Sequence, residues 1–151
     1  MNDVEKFLAH AIALERAAAR RFEELSEAMD TDGNAELKAF FTRMAGYSRK
    51  HLAEAVARGG FREVPVLAAD EFEWPDGVSP EVADWAGVDV FMDARGALEL
   101  ALTSEQRGYA WYAAIAATTQ DAEVRTLANE FAAEEAEHVE LLQKLIPNCA
   151  A

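Results

Sequence analysis

Four apolar stripes run along this sequence, and all four are broken at the same level. One consists of Val4, Leu8, Ala11, Glu15, Ala18, Phe22, Leu25 and Met29. Another consists of Ala94, Leu98, Ala101, Glu105, Gly108, Tyr112, Ile115 and Thr119. Their steps alternate four and three, the pattern of side chains facing a helix-bundle core. Two more stripes keep the same spacing: Leu37, Phe41, Met44, Ser48, His51, Ala55, and Val124, Ala128, Phe131, Glu135, His138, Leu142, Leu145. Glu15 falls in register with Glu105, Ser48 with Glu135, and His51 with His138. Polar side chains at one depth of an apolar seam demand a reason, because a buried carboxylate costs several kcal/mol unless it is paired or bound to a cation.

The segments around the stripes predict four helices, at about 2–30, 35–58, 93–119 and 122–146. Asp30-Thr31-Asp32-Gly33-Asn34 breaks the first from the second, Gly59-Gly60 ends the second, and Pro147 closes the fourth. The register makes the chain a duplicated helical hairpin, residues 1–58 matching 91–146. Residues 59–92 join the hairpins and hold Pro65, Pro75, Pro80, Trp74 and Trp85. Two short turns make two antiparallel pairs, so this segment must cross the length of the bundle. Ser79-Pro80-Glu81 predicts a short helix over about 80–86. Phe61, Phe72, Trp74 and Trp85 are too many aromatics for a solvated linker and are expected to cover a bundle face or a partner subunit. The expected architecture is all-α, a single four-helix domain over 1–151 with a long crossover.

Composition narrows the function. The 151 residues match one domain on the usual ~150-residue scale. A net charge of −14 excludes nucleic acid and anionic membrane surfaces as partners, since both would repel it. One cysteine, Cys149, excludes an internal disulfide and a Cys-rich metal module. The opening MNDVEKFLAHAIALERAAAR is interrupted by charge throughout and does not read as a signal peptide, and no run reaches the ~18 apolar residues of a membrane span. A cytoplasmic chain is the expectation, and a homodimer is expected because closed symmetric pairs are the commonest oligomers.

A metal supplies the reason for the polar level. Glu135-Ala-Glu-His138 is a Glu-x-x-His pair, and residues three apart lie on one face of a helix, about 5–6 Å apart. With facing Glu residues from other helices, it gives the mixed oxygen and nitrogen ligand set of di-iron and di-manganese carboxylate bundles. Carboxylate with imidazole suits iron or manganese, and zinc also fits. Singly, each residue has a plainer reading. Glu15 could snorkel, Glu-x-x-His is common on a helix as acidic as this one, and His51 could be a core histidine. Their coincidence at one level is what points to cations.

These residues resemble the ferritin-like superfamily, and within it the rubrerythrin-type domains. The resemblance is carried by ALERAAARRFEEL, MAGYSRKHLAEA, ALELALTSEQRGYAWYAAIA and DAEVRTLANEFAAEEAEHVELL, and covers everything but the crossover. It implies a non-haem di-iron centre that reduces peroxide or oxidises ferrous iron, with Glu15, His51, Glu105, Glu135 and His138 as ligands. Ser48 stands where the family carries the Glu of its first Glu-x-x-His. Gly108 stands where rubrerythrins carry an additional carboxylate, and the rubredoxin module is missing. Three carboxylates then face the four positive charges of two ferrous ions, which leaves a coordination position beside Ser48 to water or substrate. Glu54, one turn beyond His51, could bend in toward the centre, although its direction is off the seam. Tyr47 and Tyr112 are candidate hydrogen-bond donors to the ligating carboxylates. Trp111 and Phe131 read as packing residues.

Three functions follow as alternatives. The first is a two-metal oxidoreductase acting on peroxide, O2 or ferrous iron with an unidentified electron donor. The second is a module holding one ion, zinc or manganese, on Glu105, Glu135 and His138. The third is a metal-free structural or interaction bundle in which the buried Glu and His pair with each other or with Arg16, Arg20 and Lys50.

Overall fold

The computed structural model describes residues 1–80 and 92–148. Four helices account for most of them: α1 (Val4–Thr31), α2 (Ala35–Gly59), α3 (Ala94–Thr118) and α4 (Ala122–Leu145). Each begins at an Asp or Asn whose side chain accepts backbone N–H bonds from the first turn. Asp3 accepts from Glu5 and Lys6, Asn34 from Leu37, Asp93 from Gly96 and Asp121 from Val124. Such caps satisfy N–H groups that have no partner within the helix. The α1–α2 turn closes tightly because Gly33 takes φ +75°, and the Asn34 N–H reaches back to the Met29 carbonyl.

The packing makes two antiparallel hairpins, α1 with α2 and α3 with α4. Thr119, past the end of α3, hydrogen-bonds the Met1 carbonyl and the Asn2 side chain, so α3 runs antiparallel to α1. Arg58 and Arg62 at the end of α2 pair with Glu130 and Glu123 near the start of α4, so those two also oppose. The ends of α2 and α3 therefore share one pole of the bundle, and the chain from Gly60 must travel to the other pole before α3 can begin. Gly60 starts that departure with φ +55°.

The crossover runs over the α1–α3 face. Two 3-10 turns, Ala69–Glu71 and Pro75–Gly77, lie along it. Phe72 and Trp74 pack on His10 of α1, with centroids 5.1 and 4.8 Å away, and Trp74 reaches Trp111 of α3 at 5.0 Å. The Glu73 N–H donates to His10 Nε2 at 2.8 Å, so Nδ1 carries the ring proton and donates to the Lys6 carbonyl, also at 2.8 Å. Phe61 departs from expectation. It is fully solvent-exposed, since it follows the glycine pair before the chain has turned onto the bundle. The short helix expected over 80–86 lies, except for Pro80, outside the described residues, as do Trp85 and Cys149.

The core is split in two. Phe22, Leu25, Met29, Phe41, Met44, Leu98 and Leu142 pack as one apolar cluster. Phe7, Leu8, Leu14, Trp111, Tyr112, Val124 and Phe131 pack as another, with Phe7 between the rings of Trp111 and Phe131 at 6.1 and 6.0 Å. Trp111 and Phe131 pack within this second cluster. Among the described residues, no helix is long and apolar enough to cross a membrane.

Candidate metal centre

Between the two apolar clusters lies the polar level. Glu15, Ser48, Glu105, Glu135 and His138 are all at least 95% buried, and His51 is partly buried. Glu15 does not snorkel, at 3% exposed. The rings of His51 and His138 stack with centroids 5.2 Å apart. His138 Nδ1 is 3.2 Å from Glu105 Oε2. Glu105, Glu135 and His138 each bring one ligand atom within 4.8 Å of the other two. The heptad position does this. Residues of α3 and α4 that share a seam level converge, and the i, i+3 spacing puts Glu135 and His138 on the same side of α4.

Tyr112 is fully buried, and its O–H donates to Glu15 Oε1 at 3.4 Å. Tyr47 differs. It is nearly half exposed and stacks against the His138 ring at 6.0 Å, and it makes no hydrogen bond to a carboxylate among the described residues. The seam spacing places position 47 beside the core line rather than on it, so the ring covers the imidazole from outside.

The electrostatics are those of acids crowded together out of water. Burial first, and the neighbouring Glu135 carboxylate next, push the Glu15 carboxyl well above its ordinary range. Burial and then Glu105 do the same to Glu135. Burial takes His51 down to about 4, with His138 beside it adding to the effect. His138 also falls to about 4 through burial, partly opposed by Glu137. The imidazoles are thus neutral and free to ligate. Carboxyls carrying protons can link Glu15, Glu135 and Glu105 in series. Ionised, they have no such bonds. Glu15 Oε2, Glu134 Oε2, Glu135 Oε2 and His51 Nδ1 are all buried atoms without a hydrogen-bond partner. Buried polar groups are rarely left this way, and each one calls for a reason. Arg16, Arg20 and Lys50 do not fill the role. All three are exposed, and none pairs with Glu15, Glu105 or Glu135 among the described residues.

Sequence reasoning missed part of the arrangement. Glu54 does point off the seam, yet it does not point away from the centre. It joins His51 and Glu134 in a second group whose ligand atoms also lie within 4.8 Å of one another. Glu134 rises to about 7, through burial and then its hydrogen bond to Glu54. The available signal was His51-Leu-Ala-Glu54, a reversed Glu-x-x-His on α2, with the doubled Glu134-Glu135 opposite.

A carboxylate and histidine level inside two antiparallel helical hairpins with a long crossover defines a rubrerythrin-type, ferritin-like protein, and the chain belongs to that family. A family model described as Rubrerythrin matches residues 6–58, which carry Glu15, Ser48 and His51. The crystal structure of an uncharacterized conserved protein from Magnetospirillum magnetotacticum MS-1 is similar along nearly the whole length. The identity is 38%, the match covers 99% of this chain and 97% of that one, and the TM-score is 0.81. Among curated proteins, no sequence matches.

Proposed function

We propose that this chain is a non-haem di-metal carboxylate protein that binds iron and acts as an oxidoreductase on peroxide, O2 or ferrous iron. One observation carries the reading: a buried oxygen each of Glu15 and Glu135 and a buried nitrogen of His51, all at the polar level, have no hydrogen-bond partner among the described residues. Glu15, Glu105, Glu135, His51 and His138 are the residues that would hold the metal. Hard oxygen and imidazole donors suit ferrous iron, with manganese or zinc as competitors. Bound ferrous iron supplies the two electrons that reduction of an O–O bond requires.

The chain's own residues do the rest. The apolar clusters on either side keep bulk water from the level and fix the ligating side chains in place. Tyr112 orients Glu15 through its O–H. The raised carboxyls of Glu15 and Glu135 hold protons in the metal-free state and release them when a cation arrives. Ser48, buried at the second-helix position, favours a second reading in which the seam binds a single ion.

Anaerobic loading with ferrous iron followed by metal analysis tests the proposal. Close to two irons per chain are expected, with binding abolished in Glu135→Ala. A protein that stays metal-free after loading overturns it. A count near one, with no absorbance change on adding peroxide, selects the one-ion reading.

A further inference from the structure

The group formed by His51, Glu54 and Glu134 reaches outward from the seam, with His51 on the α2 stripe and Glu54 and Glu134 off theirs. His51 and Glu54 are three residues apart on α2, and Glu134 faces them from α4. His51 Nδ1 is 3.6 Å from Glu134 Oε2 and 4.0 Å from Glu15 Oε2. None of these three atoms has a hydrogen-bond partner, although all are shielded from water. Glu15 is only 3% exposed, and its unpartnered oxygen is aimed at the group from the core side.

The charges match a divalent ion in each place. Glu105 and Glu135 with His138 give two carboxylates and an imidazole, and Glu54 and Glu134 with His51 give the same set again. Ser48 offers the seam no charge. Glu54 supplies α2's carboxylate about 9 Å further along the axis than Ser48, six residues at ~1.5 Å each. Resting on the di-metal reading above, we propose that the second divalent ion sits at the rim of the bundle on His51, Glu54 and Glu134, with Glu15 between the two groups, in place of a seam position that Ser48 does not complete.

The two positions then differ in access. The inner three residues are at least 95% buried, whereas His51, Glu54 and Glu134 are all partly exposed. The rim ion fills second and leaves first, and it meets solvent directly.

Titration with Co(II), read by optical absorption and by metal analysis after gel filtration, tests this on the full chain. Wild type is expected to take two equivalents. Glu54→Gln and Glu134→Gln keep the first equivalent and weaken the second by more than ~100-fold, beyond what changes around a ligand usually cost. Glu105→Gln weakens the first instead. Both rim residues are partly exposed, so the variants should keep the fold, and circular dichroism checks that they do. Two equivalents at wild-type affinity in both rim variants overturn the rim site while leaving the di-metal reading intact. A single equivalent in wild type that survives both variants overturns it as well. No cobalt bound by wild type overturns both proposals together.

Discussion

Glu15 and Glu135 make the metal-free protein sensitive to pH in a definite direction. Their folded pKa values stand well above the ordinary 4.5, so the native state holds more protons than the unfolded chain. Their contribution is therefore lost as pH rises above 4.5 toward the folded values. His51 and His138 act oppositely. With folded values near 4 against an ordinary 6.5, they add stability as pH rises through that interval and nothing further beyond it. Above about pH 6.5 the histidines are spent, and Glu134, at about 7, adds to the loss. Chelator-treated protein is expected to melt at a lower temperature at about pH 8 than at about pH 6.5, and metal-loaded protein is not, because a bound cation keeps those carboxylates ionised. Thermal melts at both pH values, with and without chelator, check it. His10 is the other residue with large consequences. Its Nε2 accepts from Glu73 while its ring stacks on Trp111 at 5.8 Å. His10→Ala is expected to cost about 2–4 kcal/mol in urea unfolding, from the lost ring packing and the freed Glu73 N–H. His10 was not legible in the sequence because it lies beside the stripe between Leu8 and Ala11. Its partners are also more than sixty positions away, in a segment with no period.

At the scale of the elements, local chemistry and periodicity agree, and there the sequence was readable. The expected helix over 35–58 is Ala35–Gly59, and the one over 122–146 is Ala122–Leu145. Gly33, the glycine pair and Pro147 mark their ends through backbone geometry alone. Asn34 illustrates the energetics. Its side chain accepts the Leu37 N–H at 3.0 Å, and Asn34→Ala should destabilise the protein by about 1 kcal/mol. A shift in denaturation midpoint without a change in slope would show this, since the exposed surface on unfolding is unaltered. The seam level was legible for the same reason: Glu15, Glu105, Glu135 and His138 occupy core positions that sequence spacing fixes. The crossover was legible only as a necessity of topology, because proline-rich aromatic segments carry no period that says which face they cover. Glu54 was legible only as a residue that could bend in, and Glu134 was missed, for a related reason. Each lies off its own stripe, and a reading that follows stripes records only what faces the core axis. Their meeting depends on how α2 and α4 sit against each other, which neither helix states by itself.

At the scale of the whole molecule, the polar level interrupts what would otherwise be one continuous core. Two apolar clusters must hold the helices together across a layer of acids. In an ordinary bundle those positions would carry Leu or Ala and would bind the hairpins to each other. Side chains of both hairpins meet in each cluster, Phe22 and Phe41 with Leu98 and Leu142 in one and Phe7 and Leu14 with Trp111 and Phe131 in the other, so the apolar docking between hairpins is carried above and below the layer. A cation shared by α1, α3 and α4 would replace repulsion with attraction at that junction. A ligand that binds only the native state stabilises it by about 2.7 kcal/mol at a hundred times its dissociation constant. For a chain of this size each kcal/mol moves the melting temperature by roughly 2–4 °C. One occupied site should therefore raise the melting temperature by about 5–10 °C over chelator-treated protein, and a second site should add to that. Calorimetry at increasing free ferrous iron, under anaerobic conditions, provides the measurement. Glu135→Ala is the informative control, because it removes a buried acid and the metal ligand together. Its apo form should melt no lower than apo wild type if repulsion in the layer dominates, while the iron-dependent rise disappears. An equal rise in wild type and Glu135→Ala would mean that iron stabilises this bundle from somewhere other than the layer that divides its core.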